Sequence, residues 1–164
     1  MKIIGIDPGS TRAGYGVIEF HAQSATFIDG GIFSVTSSHN HQRLKELYDE
    51  CHTLFKHHCP DVVGMEKLFF GKNIKTATDV SQSRGVIALC IAQYNIPLYE
   101  FTPLEVKQGM TGYGSADKKS ITRMVQGTLH LPPTFAHVPD DVFDALAIAL
   151  IAGYTATKER HHSL

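Results

Sequence analysis

Five carboxylates stand where an apolar run meets a break in the chain. Asp7 ends the run Ile3-Ile4-Gly5-Ile6, and Pro8-Gly9-Ser10 follows it. Glu66 ends Val62-Val63-Gly64-Met65. Asp140, Asp141 and Asp144 open the apolar stretch that continues Ala145-Leu146-Ala147-Ile148. Carboxylates are hard oxygen donors of the kind Mg²⁺ takes, one or two at a time, together with waters and phosphate oxygens. Two such ions about 4 Å apart clamp the attacking and leaving oxygens of an in-line displacement. That chemistry asks for no nucleophilic side chain, only negative ligands and a phosphate ester. An acid at the position of Asp7 could also form a turn or belong to a phosphate cradle. The company of four further acids favours a metal ligand, with Pro8 and Gly9 keeping the following turn short and thin.

The three acids near residue 140 differ among themselves. Asp141 and Asp144 are three apart and share a helical face. Asp140 is four from Asp144 and competes for the same role. An acid in a first helical turn caps the helix and stabilises its dipole, which accounts for Asp140 without any ligand. It does not account for Asp144, where an ionised carboxylate at an apolar face needs a partner.

The elements that must gather these acids follow from the hydrophobic pattern. Residues 2–7, 14–20 and 25–35 predict three antiparallel strands with short links. Residues 40–58 have the 3.6 period of an amphipathic helix, 61–66 form a short apolar strand, and "LFFGKN" is a loop. A helix over 75–94, a strand over 96–101, a short helix from Thr102-Pro103 and a helix near 117–129 come next. The last helix runs from Asp140 to about Lys158. The expected organisation is one α/β domain, 1–158, with a short polar tail, 159–164. Its mixed five-stranded sheet has three antiparallel strands plus two parallel ones, flanked by helices. If the first and fourth strands are parallel neighbours, Asp7 and Glu66 converge outside their carboxyl ends, where open sheets bind ligands.

Composition bounds the function. The chain has 164 residues, 43% of them hydrophobic and 19% charged, with a formal net charge of −1. No global field recruits nucleic acid, but residues 67–123 hold eight Lys/Arg against four Asp/Glu. An anionic partner is sought there. The longest apolar stretch is far short of a membrane span. Three cysteines without a signal peptide argue against a disulfide framework and for a reducing cytoplasm. "CHTLFKHHC" lacks zinc-ligand spacing. Cys51 instead shares a helical face with Leu44, Leu47, Leu54 and Phe55, which leaves the neighbouring histidines on the wet side.

Other residues have two readings each. Phe69 and Phe70 sit in a loop with Lys72, as core or as a wedge between unstacked bases. Lys107 and Lys118 flank the "GYGS" loop, as solvated lysines or as phosphate contacts. Gly85, Ala88 and Ala92 share one side of their helix. A mid-helix glycine costs about 1 kcal/mol relative to alanine, so a close approach is expected there, against the sheet or across a dimer.

The segments "IIGIDPGSTRAGYGVIE", "GMEKLFFGKN", "SRGVI", "GSADK" and "DVFDALAIAL" together resemble the RuvC family of crossover-junction endodeoxyribonucleases, in order and over nearly the whole chain. The resemblance implies a ribonuclease H-like fold and a homodimer. It implies Mg²⁺, with Mn²⁺ able to substitute, and paired nicking of four-way (Holliday) junction DNA delivered by the RuvA–RuvB branch-migration motor. It places the family's acidic ligands on Asp7, Glu66, Asp141 and Asp144, its base-stacking aromatic on Phe69, and its active-site lysines on Lys107 and Lys118. Lys72 joins the expected DNA contacts. Phe143 stands where the family usually has a small residue, and Asp140 is an additional acid. "GIDPGST" also resembles the first phosphate loop of the actin–hexokinase ATPases. Those need a duplicated domain and a second phosphate loop, for which this chain is too short. An RNA-processing nuclease of the YqgF kind shares the first aspartate but is not expected to carry the whole motif set.

Overall fold

Helices close both faces of one sheet. The computed structural model describes residues 1–9, 12–21, 24–67, 74–132, 135 and 137–162. The order is β1 (Lys2–Asp7), β2 (Gly14–His21), β3 (Ser24–Ile32), α1 (Asn40–His58), β4 (Val62–Glu66), α2 (Ile74–Gln93), β5 (Leu98–Phe101), α3 (Pro103–Thr111), α4 (Lys118–Leu129) and α5 (Asp140–His162). The sheet is five-stranded in the order β3-β2-β1-β4-β5. β1 pairs β2, and β2 pairs β3, antiparallel; β1 pairs β4, and β4 pairs β5, parallel. This is the mixed sheet expected from the pattern. Among the described residues no helix is long and apolar enough to cross a membrane.

The two faces of β1 and β4 carry different side chains. Ile4, Ile6, Val63 and Met65 pack with Leu47, Cys51 and Phe55 of α1 and Ile87 and Cys90 of α2. On the other face stand Gly5 and Gly64, which are paired with each other. Gly5 also pairs Gly16, which pairs Gly30, so one row of glycines crosses four strands. A Cβ on Gly5 would lie 2.0 Å from the Ala145 carbonyl oxygen and 2.5 Å from the Ala149 nitrogen. One on Gly64 would lie 2.9 Å from Ala152 Cβ. Helix α5 therefore rests on strand backbone. It runs antiparallel to β1, because Gly5 meets Ala145 and Ala149 while Ile3 meets Gly153. Ala145 to Leu150 are all essentially inaccessible, the pattern of a helix apolar on every side and covered by a large core.

Local chemistry sets the other boundaries. Thr102 and Glu105 make a reciprocal capping box with Pro103 in the first turn, and Asp117 caps α4. β3 stops at Ile32 and not near 35, because its partner β2 begins at Gly14, paired with Ile32. α5 runs on to His162, beyond the expected end near Lys158. Glu159 and Arg160 are good helix formers, and Tyr99 Oη donates to Glu159 Oε2 at 2.5 Å. The segment taken as a polar tail thus begins as helix. Cys51 is in the core as expected, but His58 is not on the wet side: it is buried, with Nε2 3.3 Å from Asp29 Oδ2. An acid on β3 receives it, a partner that helical periodicity alone does not reveal.

Candidate active site

The last pair in the β1–β4 register is Ile6 with Met65. One residue on, Asp7 and Glu66 end adjacent parallel strands, on the same face as Gly5 and Gly64 by strand alternation. That face is the one α5 covers, and its first turn arrives over the two acids. Gly14, paired with Asp7, makes the approach possible: a Cβ there would lie 2.3 Å from the Asp141 carbonyl oxygen and 3.1 Å from Asp141 Cβ. Asp144 and Glu66 line one open cleft of about 250 Å³ with Lys107, Lys118 and the apolar Val106, Ile121 and Ile148. The structure thus gathers Asp7, Glu66, Asp141, Asp144, Lys107 and Lys118. Phe69 and Lys72 lie outside the described residues.

The acids perturb one another. The Asp7 carboxyl is pushed up to about 7, first by burial and then by the charges of Glu66, Asp144 and Asp141, with Lys118 opposing. Glu66 is raised by burial and by Asp144, again against Lys118. Asp144 is raised by burial, although Lys118 pulls it down. Burial works against the Lys118 charge, yet bonding to Asp144 and the nearby Asp140 keep that lysine above its ordinary value. Lys118 Nζ sits 3.0 Å from Asp144 Oδ2 and 3.4 Å from Asp140 Oδ2. The Asp140 side chain is 69% exposed, whereas those of Asp141 and Asp144 are 27% and 30% exposed.

Arg12 is a contact the sequence reading passed over. Its Nη2 donates to Asp141 Oδ2 at 2.9 Å. A cation five residues after a strand-end acid is a signal, but a weak one, since a single arginine in a loop is usually solvated. Phe143, conspicuous between the paired acids, turns away from them: it is buried, edge-on to Phe135 at 6.1 Å.

Among the described residues no three acidic, His or Cys side chains converge closely enough to cage an ion. The acids share one field without sharing one coordination sphere, and Asp141 and Asp144 are engaged by Arg12 and Lys118. Their chemistry suits a hard divalent cation. Four oxygen donors, three of them held at raised pKa by burial and mutual repulsion, are relieved by positive charge.

Comparison with known proteins shows which family the chain resembles. The family model described as "Crossover junction endodeoxyribonuclease RuvC" matches residues 3–152. A protein of that name from Chloroflexus aurantiacus is 44% identical over 157 residues, 95% of this chain and 94% of the relative. The structure is similar to that of T. thermophilus RuvC in complex with a Holliday junction substrate, with TM-score 0.88 and 30% identity over 97% of this chain and 96% of that one. The yeast mitochondrial Holliday junction resolvase Ydc2 shares the fold at TM-score 0.71 and 13% identity, over 98% of this chain and 83% of that one.

Proposed function

The chain belongs to the RuvC family of crossover junction endodeoxyribonucleases, and from that premise we propose that Asp7, Glu66, Asp141 and Asp144 hold the divalent cations of a Holliday junction resolvase. The observation that carries the assignment is the meeting of two strand-end acids, Asp7 and Glu66, with the first turn of α5 over a glycine-lined sheet. Mg²⁺ is the resident ion and Mn²⁺ a substitute. When bound, it activates water and neutralises the leaving oxygen. Asp141 is preferred to Asp140 as the third ligand because Asp7 feels the charge of Asp141, while Asp140 is largely in solvent.

The chain's own residues hold the strand. Lys107 and Lys118 line the cleft beside Glu66 and Asp144 and face a phosphate as point charges. Phe69 stacks on an unpaired base near the junction centre, and Lys72 contacts the backbone. The whole site belongs to one domain, residues 1–158. Two identical sites cut opposing strands of a two-fold junction, leaving 5′-phosphate and 3′-hydroxyl ends, so the working form is a C₂ homodimer. What supports α2 as its contact is Gly85, where a Cβ would meet nothing within 4 Å among the described residues, and a Leu89 that is 55% exposed. The RuvA–RuvB motor delivers the junction.

The test is cleavage of a synthetic four-way DNA junction in Mg²⁺, beside duplex DNA and RNA of the same sequence. Two symmetric, directly ligatable nicks in the junction alone are expected. In Ca²⁺, whose bonds are longer and geometry looser, the junction should bind and stay intact. Equal cleavage of duplex or RNA would overturn the assignment.

A further inference from the structure

Asp141 does not face the metal site alone. Arg12 holds its Oδ2 at 2.9 Å, and that oxygen is one a cation ligated by Asp141 would need or crowd. The arginine side chain is 61% exposed and its partner 27% exposed, so the pair is a rim contact with little burial to hold it. Such pairs break easily. Arg12 also borders a second, narrower cleft, walled in part by Gly9, Asn40, Arg43, Asp79 and Ser83, where it stands among one carboxylate and one further arginine.

Charge and geometry act in the same direction. The guanidinium is always protonated and pairs with carboxylates through a planar fork. While it engages Asp141, it lowers the negative potential that draws a divalent ion and occupies a donor oxygen.

We propose that Arg12 is a displaceable counterion, a positioning residue that pairs with Asp141 in the metal-free enzyme and must leave before a divalent cation takes that carboxylate. The inference rests on the assignment of Asp141 as a metal ligand. It makes metal affinity a balance set by a residue that touches neither the metal nor the reacting phosphate.

The experiment measures Mn²⁺ alone, without DNA, by calorimetry and by electron paramagnetic resonance. It compares wild type, Arg12→Ala, Arg12→Lys, Asp141→Asn and the double variant Arg12→Ala/Asp141→Asn. Arg12→Ala should bind Mn²⁺ about two- to fivefold more tightly, the factor an exposed pair is worth. Arg12→Lys should stay near wild type, and Asp141→Asn should bind more weakly. In the Asp141→Asn background, Arg12→Ala should change nothing. An unchanged or weaker affinity in Arg12→Ala overturns the proposal. So does an equal gain with Asp141 already neutralised, which would make Arg12 a distant charge and not a counterion of that carboxylate. If Asp141→Asn binds Mn²⁺ as wild type does, the assignment of Asp141 falls, and this inference falls with it.

Discussion

On the face covered by α1 and α2, strands β1 and β4 present Ile4, Ile6, Val63 and Met65; on the face covered by α5 the same strands present Gly5 and Gly64, then Asp7 and Glu66. Branched and long side chains fill the first layer and keep helix backbone away from strand backbone. The second layer has no such filling, and Ala145 and Ala149 lie against the Gly5 backbone. The difference decides where chemistry is possible. An aspartate reaches only one methylene beyond its backbone, so carboxylates from a strand and a helix meet only if the two backbones nearly touch. The glycine row is thus part of what brings α5 down onto Asp7 and Glu66, although its residues carry no side chain of their own.

The largest test of that contrast is at the acids. Asp7→Asn should lower junction cleavage at least about 10³-fold, the scale of losing an essential electrostatic group, with junction binding within a few-fold of wild type. Asp140→Asn, exposed and paired with Lys118, should lower it far less. Retained cleavage by Asp7→Asn in Mg²⁺ would reduce the α5 face to packing alone. Next comes Gly5→Ala, whose new methyl group must push α5 outward. It should cost about 1–3 kcal/mol of stability in denaturant unfolding and depress kcat in the fraction that folds, since the acids separate with the helix. Full activity in folded Gly5→Ala would break the link between trench and site.

A third test uses pH in metal-free protein. Folded Asp7 titrates near 7, against 3.8 ordinarily, first because it is buried and then because it faces three acids. Between those values the folded state binds more protons than the unfolded one, so this group's contribution to stability falls as pH rises from about 4 to 7. Asp7→Asn lacks the effect. It should exceed wild type by at least about 1 kcal/mol above pH 7 and lose that advantage toward pH 4. Urea midpoints across that range measure it, and a constant gap would contradict the burial of charge at Asp7. The smallest effect belongs to the other face. Ile4→Val should cost about 0.5–1.5 kcal/mol by opening a small cavity and leave cleavage per folded molecule unchanged.

Much of this was legible in the chain because it is local. Strand ends at Asp7 and Glu66, the cap at Thr102 and the helical period of residues 40–58 are written in neighbouring residues. The glycine row is not, since Gly30, Gly16, Gly5 and Gly64 align only once two antiparallel registers and one parallel register are fixed. The same holds for His58 beside Asp29 and Arg12 beside Asp141, contacts across 29 and 129 residues. Gly85 suggests a close approach by its place in a helix, yet a Cβ there would meet nothing within 4 Å among the described residues. Phe69 and Lys72 rest on the motif alone.

Because α5 lies in the trench with its alanines against glycine backbone, hinge-like opening of the four acids would expose Ala145 to Leu150 to water together. The scaffold is therefore stiff around the four acids. What remains free to rearrange around Asp7 are side-chain torsions such as those of Arg12 and Lys118. These relax in picoseconds to nanoseconds, while collective helix motions take microseconds to milliseconds. Counterion exchange at this site should accordingly keep pace with ion arrival, and any slow step in turnover lies outside these side-chain torsions.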